Sequence, residues 1–502
     1  MLARVFAPAQ FGITSQITSI ECDLSHGLPA FIVVGLADRS VDEAKERVRS
    51  ALRHAKIPIP ARRITMNLAP ANVPKDGTGF DMGMTVALLA ATGHISSNLD
   101  NKLFAGEVGL DGTFRAIPAV LSHAQAAKTH GIAELYVPAN NAPEAALCSD
   151  ITIYAVHSIT ELTRHLNGNA PLMPYKAAPQ PIMVAQPSEV DFATIRGQQL
   201  AKRALEIAAA GGHNVLMSGP PGTGKTMLAR ALAGILPPLS FEELTEVNQI
   251  HSIAGLTTNQ LVTTRPFRNP HHTASAVSLI GGGSNPRPGE ISLSHRGVLF
   301  LDELPEFPRS TIEVLRQPIE DGRVTISRAN NTVQYPAEFM LIATQNPCPC
   351  GYYTDPRREC TCRQIDIKRY GRRISGPLLD RIDIHVEVGA LAAQDMTLYK
   401  PGEPSTAIAK RVTHARAMQA ERHASASLIN ARLTNEQIRK WCSLTPGASR
   451  MAHDAFASLN LSARSYMRLL RVARSIADLA SESQIAEAHI SEALQYRAHP
   501  PK

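Results

Sequence analysis

Eight consecutive residues, Gly219-Pro220-Pro221-Gly222-Thr223-Gly224-Lys225-Thr226, carry the most specific chemical signal in the chain. They fit the pattern G-x-x-x-x-G-K-[ST], a glycine-rich turn that cradles phosphates. Gly219, Gly222 and Gly224 let the backbone curl until its N–H groups face an anion. A helix starting at this point adds partial positive charge. Lys225 would reach the β- and γ-phosphates of a nucleoside triphosphate, and the Thr226 hydroxyl would hold Mg²⁺. Further on, Val298-Leu-Phe-Leu-Asp-Glu303 is four apolar residues followed by two acids. A buried parallel strand would deliver both acids at its C-terminal end, beside the phosphate loop. There Asp302 would orient Mg²⁺ and Glu303 would polarise the attacking water. Either string alone could be an ordinary turn or a strand ending in solvated acids. Together they point to triphosphate hydrolysis.

Those groups need elements to hold them. Asn214-Val-Leu-Met-Ser218 reads as a short buried strand and Met227-Leu-Ala-Arg-Ala-Leu-Ala233 as the start of a helix. Asp191-Phe-Ala-Thr-Ile-Arg-Gly-Gln198 opens the same domain, and its Ile-x-Gly-Gln segment is similar to one that shapes the adenine pocket in AAA+ proteins. Phe339-Met-Leu-Ile-Ala-Thr-Gln-Asn346 is a second apolar run with a polar end. It resembles the AAA+ sensor strand, which implies that Asn346 positions the lytic water. Gly376-Pro-Leu-Leu-Asp-Arg-Ile-Asp383 resembles the Leu-Leu-x-Arg string of magnesium-chelatase-type and MCM-type AAA+ proteins. That implies a role for Arg381 as an arginine finger on the neighbouring subunit's ATP. Arg464, Arg468, Arg471 and Arg474 follow at steps of four, three and three, on one face of a helix, with Leu469, Leu470, Val472, Ala473 and Ile476 on the other. Arg464 matches the AAA+ lid arginine that touches the γ-phosphate. The other three are expected on a solvated or DNA-facing side.

Two insertions look like strand handlers. One spans residues 275 to 297, with Gly281-Gly-Gly-Ser-Asn-Pro-Arg-Pro-Gly289. The other, Gly322 to Gln334, reads as a β-hairpin with its tip near Ala329–Asn331. Both positions match extra insertions of magnesium-chelatase-like and MCM-like AAA+ proteins, where such loops line a central pore. Arg287 and Arg328 are the candidate phosphate contacts on them. Cys348, Cys350, Cys360 and Cys362 form C-x-C-x₉-C-x-C, two close thiol pairs that could close a tetrahedral Zn²⁺ site or stay as reduced cysteines. The loop between and beyond them is basic, with Arg357, Arg358, Arg363, Lys368, Arg369, Arg372 and Arg373.

The first 166 residues alternate strand-like and helical runs, an α+β pattern. Phe31–Gly35, Ile64–Leu68 and Leu135–Pro138 read as strands, Val41–Ala55 as a helix, and Gly109-Leu-Asp-Gly112 as a hairpin-type turn. Pro74-Lys-Asp-Gly-Thr-Gly-Phe-Asp-Met-Gly83, followed by Gly106-Glu-Val-Gly-Leu-Asp-Gly112 and Tyr136-Val-Pro138, resembles the proteolytic domain of Lon proteases, a ribosomal S5 domain 2-like fold. That family carries a serine where this chain has Gly79, and a lysine where it has Leu121. Glycine offers no nucleophile and leucine no base, so the resemblance implies the fold without peptide cleavage.

The 502 residues are too many for one compact core. The expected division is a Lon-like head over 1–166, a proline-rich linker over 167–190, an AAA+ core over 191–390 and a helical lid over 391–502. Composition is that of a soluble cytoplasmic protein, 44% hydrophobic and 19% charged, with no bilayer-length apolar run and no signal-peptide build. Seven unevenly spaced cysteines argue against a disulfide framework. A net charge of +7 is compatible with a polyanionic partner, while 5% aromatics speaks against base-stacking platforms. The whole set, including Arg265-Pro-Phe-Arg-Asn-Pro-His-His-Thr273 and Asn346-Pro-Cys-Pro-Cys-Gly351, resembles the ComM/YifB family of magnesium-chelatase-like AAA+ ATPases. The resemblance implies a homo-hexameric ATP- and Mg²⁺-dependent motor on single-stranded and branched DNA, a branch-migration helicase serving natural transformation alongside other recombination proteins. A magnesium-chelatase-like motor remodelling a protein partner is the alternative. A protease is opposed by Gly79, and an inert scaffold by the intact Lys225, Asp302 and Glu303.

Overall fold

A computed structural model describes residues 2–35, 38–73, 75–176, 189–257, 261–283, 286–327, 332–390 and 402–497. The head is built on a seven-stranded mixed sheet. In spatial order its strands are Ala30–Val34, Arg63–Ala69, Thr14–Ser25, Leu2–Phe11, Lys102–Phe104, Glu134–Pro138 and Thr152–Val156. Leu2–Phe11 and Thr14–Ser25 form an antiparallel hairpin whose register closes at Phe11 opposite Thr14. The helix Arg39–His54 starts where the Asp38 carboxylate accepts the Val41 N–H at 2.8 Å. Its Val48, Ala51 and Leu52 stripe is buried, as the periodicity requires. The apolar helix Asp81–Ala91 lies under the sheet, buried at nearly every position. Its first residue, Asp81, is tied to Arg47 at 2.6 and 2.9 Å.

The core is a five-stranded, all-parallel sheet. Its order is Phe267–Arg268, Val298–Leu301, Met340–Gln345, Val215–Ser218, Ile384–Glu387. Every strand points the same way. All the C-terminal ends therefore lie on one edge and all the N-terminal ends on the other. The central strands are short apolar runs because both faces are covered. The lid comprises helices Ser405–His423, Asn435–Trp441, Pro446–Ser458, Ala463–Leu479 and Glu487–Gln495. It shares one hydrophobic core with the core sheet and the helix Gln199–Gly211.

The head docks directly on the core. The Ala119 N–H donates to Ser252 Oγ at 2.7 Å, and Gln249 Nε2 donates to the Ile13 carbonyl at 2.8 Å. At the hairpin corner, Gly12 has φ +58°, and a Cβ there would lie 2.5 Å from Val333 Cγ1. Only glycine permits both the left-handed turn and that approach. Val333 belongs to the core hairpin formed by Arg323–Ser327 and Thr332–Pro336, which pair antiparallel as expected. The tip of that hairpin, with Arg328, lies outside the described residues. In the linker, Leu172 packs on the head's core and the Tyr175 N–H donates to the Ile153 carbonyl at 2.7 Å. The prolines do not free this stretch, because its apolar side chains find cover on the head. Residues 177–188 lie outside the described residues.

Candidate active site

At the C-terminal edge of the core sheet, Val215–Ser218 runs into the phosphate loop and then into the helix Lys225–Ala233. Gly222 and Gly224 take φ +76° and +89°. The Lys225 ammonium is buried and donates to the carbonyls of Gly219 at 2.6 Å and Pro220 at 2.8 Å, and to Asn346 Oδ1 at 3.3 Å. Burial lowers its pKa, against the opposing pull of Asp302 and Glu303. Asn346 is thus brought to Lys225 from 121 residues away. Asp302 Oδ2 accepts from Thr226 Oγ1 at 3.0 Å, so the two residues expected to hold Mg²⁺ are in contact. Both are oxygen donors, the ligand type that Mg²⁺ takes. Glu303 follows at φ +54°, an uncommon conformation for a residue with a side chain.

Sequence reasoning does not single out Thr344. Its hydroxyl donates to Asp302 Oδ1 at 2.5 Å and accepts the Glu303 N–H at 2.8 Å. One side chain on the strand Met340–Gln345 therefore holds the Asp302 carboxylate and the backbone of the left-handed turn at Glu303. The only signal is a threonine inside an apolar strand, where threonine is also an ordinary β-former. Gln198 stands out in the sequence only as part of an adenine-pocket segment. Its Nε2 donates to the Gly389 carbonyl at 2.7 Å and the Thr223 carbonyl at 3.4 Å, bridging the segment to the phosphate loop.

Arg381 and Arg464 lie at the opposite edge. Asn214, the residue before Val215–Ser218, donates to the Arg381 carbonyl at 3.2 Å. Four strand residues at a rise of ~3.3 Å put roughly 13 Å of sheet between that point and the phosphate loop. Arg381 donates to Glu320 through Nε at 3.1 Å and through Nη2, and Arg464 donates to the same carboxylate. Both line a cavity of about 420 Å³ together with Arg432, Arg468 and Arg471. Arg464, expected at a γ-phosphate, stands at the edge away from the phosphate loop of its own chain. The lid docks its helix Ala463–Leu479 against the wrong edge of the sheet for that contact.

The rest of the arginine stripe also departs from expectation. Arg474 is fully buried, bonded to Asp478 at 3.1 Å and to the Ser483 carbonyl at 2.8 Å. Arg471 donates to the Leu433 carbonyl, and Arg468 to that of Ile382 at 3.2 Å. Arg471 and Arg474 pin lid segments together and Arg468 ties the lid to the core, so the three do not form a solvated or DNA-facing side. Arg287 is exposed, on a two-residue strand paired with Gly281–Gly282.

The four clustered cysteines converge. Cys348, Cys350 and Cys360 have sulfurs 3.3 to 3.6 Å apart, and all four sulfurs lie within 4.8 Å of one another. Sulfurs around a tetrahedral Zn²⁺ with ~2.3 Å bonds stand about 3.8 Å apart, so the set fits that ion. The backbone N–H of Tyr352 holds the Cys350 thiol down, to about 6, while the Cys360 and Cys362 thiols are raised. The knuckle starts two residues after Asn346 and folds back on the phosphate loop. Gly351, at φ +86°, sits where a Cβ would come within 2.8 Å of Pro221 Cδ.

Comparison with known proteins agrees with this geometry. Residues 191–396 match the family described as magnesium chelatase, subunit ChlI, and residues 402–497 its C-terminal family. Residues 20–141 match a further family described as subunit ChlI of Mg-chelatase. The chain is 43% identical over 511 residues to the competence protein ComM of Haemophilus influenzae, covering 99% of this chain and 97% of that one. It is 42% identical over 503 residues to YifB of Salmonella typhimurium, with the same coverage. The 67 kDa magnesium-chelatase subunit of Heliobacterium mobile is 28% identical over 237 residues, which is 41% of this chain and 32% of that one. With this likeness running the length of the chain, and with the phosphate loop, paired acids and sensor asparagine assembled on one parallel sheet, the protein belongs to the ComM/YifB family of magnesium-chelatase-like AAA+ ATPases.

Proposed function

We propose that this chain is the subunit of an ATP-driven ring, a homo-hexamer, that moves single-stranded and branched DNA. In that role it promotes branch migration as incoming DNA is integrated in natural transformation and homologous recombination. The observation that carries the reading is the separation of Arg381 from Lys225. One chain supplies both halves of a hydrolytic site on opposite edges of one sheet, so the halves meet only between chains. A head-to-tail contact of that kind closes into a ring. Arg381 and Arg464 then serve the neighbour's ATP, stabilising charge on the transferred phosphoryl group.

Within each subunit, Lys225 exchanges its loop carbonyls for the β- and γ-phosphates. Glu303, held by Thr344, accepts a proton from the attacking water that Asn346 orients. Thr226 and Asp302 would hold Mg²⁺, which would supply neutralising charge at the phosphates. Cys348, Cys350, Cys360 and Cys362 would hold a structural Zn²⁺, and the knuckle they close would brace Asn346 and Pro221. Arg287 and Arg328 contact DNA phosphates on the two insertions. The head does not cut peptides, since Gly79 faces the Ile117 side chain and offers no nucleophile. This reading keeps a head over 1–166, a linker over 167–190, a core over 191–390 and a lid over 391–502.

The deciding measurement is ATPase activity with and without single-stranded and branched DNA. Stimulation that fades with salt is expected, because phosphates are held by charge. ATP hydrolysis indifferent to every DNA form would sink the reading. The similarity of residues 191–396 to magnesium-chelatase subunits supports a second reading, a motor that remodels a protein. Stimulation by a protein partner without DNA would select it.

A further inference from the structure

A hollow of about 480 Å³ opens beside the catalytic turn. One wall is the segment from Glu306 to Arg309, three to six residues past Glu303. The other is the end of the helix Gln364–Gly371 with the residues that follow it. Four guanidiniums line the hollow, those of Arg309, Arg369, Arg372 and Arg373, against the single carboxylate of Glu306. Arg373 uses that carboxylate, with Nη1 at 3.1 Å from Oε2, and also donates to the Pro305 carbonyl at 3.0 Å. Arg309, Arg369 and Arg372 are exposed, and among the described residues none forms a salt bridge. Glu313 and Asp366 feel Arg309 and Arg369 only at longer range. Four like charges gathered around one acid repel each other until an anion enters.

We propose that this hollow binds backbone phosphates of single-stranded nucleic acid and relays that binding to Glu303. The proposal rests on the DNA-motor reading and locates the surface through which a strand stimulates hydrolysis. Guanidinium forks match phosphate oxygens in pairs. The hollow has no phosphate-type glycine loop, and its one aromatic residue, Phe307, is buried. It therefore lacks a stacking face for a free nucleotide's base. A strand asks only for charge, and can set successive phosphates on successive arginines. The relay is Arg373. It grips Pro305 and Glu306, the residues just past Glu303, so a phosphate that competes for its guanidinium loosens the catalytic turn from outside.

The test uses the full-length protein, a fluorescent oligothymidylate and a salt series. In Arg369→Ala/Arg372→Ala, affinity is expected to fall roughly tenfold or more. The slope of log K against log salt should shrink by about 1.4, two single-strand phosphate contacts at ~0.7 each. Basal ATPase should stay unchanged while strand stimulation is lost. Arg369→Lys/Arg372→Lys should restore most of the binding. Wild-type affinity and slope in the alanine variant would overturn the hollow and leave the DNA-motor reading standing. No strand binding by the unsubstituted protein would overturn both. Loss of basal ATPase together with ring assembly would overturn the proposal in favour of a subunit contact. Competition by millimolar inorganic phosphate at constant ionic strength, absent in the alanine variant, would overturn it in favour of a single-phosphate site.

Discussion

The two edges of the core sheet are built to different standards. At the C-terminal edge the side chains of Thr226, Asp302, Lys225 and Asn346, and the backbone of Glu303, are each held by another group. Thr226 bonds Asp302, Thr344 bonds Asp302 and Glu303, and Lys225 bonds Asn346. At the N-terminal edge two arginines share one carboxylate, Glu320, which is 46% exposed. An ion pair that open to water is worth about 0–1 kcal/mol. The first edge is preorganised, its reorganisation cost already met in folding. On the proposed reading the second is a holding arrangement that a neighbouring subunit's phosphate would take over. Such a difference suits a site completed only when subunits meet.

The comparison breaks most visibly at Arg381. Arg381→Ala should leave nucleotide binding intact and lower turnover by about a thousandfold or more, the range of a lost arginine finger. Mixing it with Lys225→Ala subunits should restore part of the ATPase, because some interfaces then pair an intact finger with an intact loop. Co-assembled rings with no recovery would place the finger in its own chain's site. Next in size is Glu303→Gln, which keeps ATP binding and loses roughly a hundredfold or more of turnover. Near-normal turnover there would remove the catalytic assignment at the preorganised edge.

Thr344→Val keeps the shape of the strand and removes both bonds. A loss of about ten- to hundredfold is expected, as for groups that orient a metal's ligands. If turnover is unaffected, the acids do not need their brace. Elemental analysis should find about one zinc per chain, and Cys360→Ser should lose it, lowering kcat with little change in ATP affinity. Metal-free protein with normal kcat would detach the knuckle from the preorganised edge. Smallest of all is Glu320→Gln. Stability should change by no more than about 1 kcal/mol, with turnover retained. A large loss of either would show that the N-terminal edge is as finished as the other.

Much of the preorganised edge is legible in the sequence itself. A phosphate loop, a strand ending in two acids and a strand ending in asparagine are contiguous strings, and each brings its own backbone geometry. The arginine helix is legible only in part. Its periodicity separates Arg464, Arg468, Arg471 and Arg474 from the aliphatic face, but three of the four are taken up by buried carbonyls and acids. Period tells which residues share a face and not what covers that face. The same limit applies to Leu172 and Tyr175, whose proline-rich surroundings suggest a free linker.

Sequence alone marked the candidate chemistry, because Lys225, Thr226, Asp302, Glu303 and Asn346 each sit in a local pattern whose spacing encodes a turn or a strand end. It also marked Gly79 as the reason to expect no cleavage, since a missing nucleophile shows in the residue type alone. Tertiary structure decided which groups meet. Thr344 reaches both acids only because the strands Val298–Leu301 and Met340–Gln345 pair in parallel register, Leu301 opposite Ala343. The cysteine knuckle bears on Pro221 only because the chain turns back after Asn346. Arg464 stands by Glu320, far from its own phosphate loop, because the lid's apolar face packs against the helix Gln199–Gly211 and carries the arginine with it. Long-range packing sets that position, and no local pattern contains it.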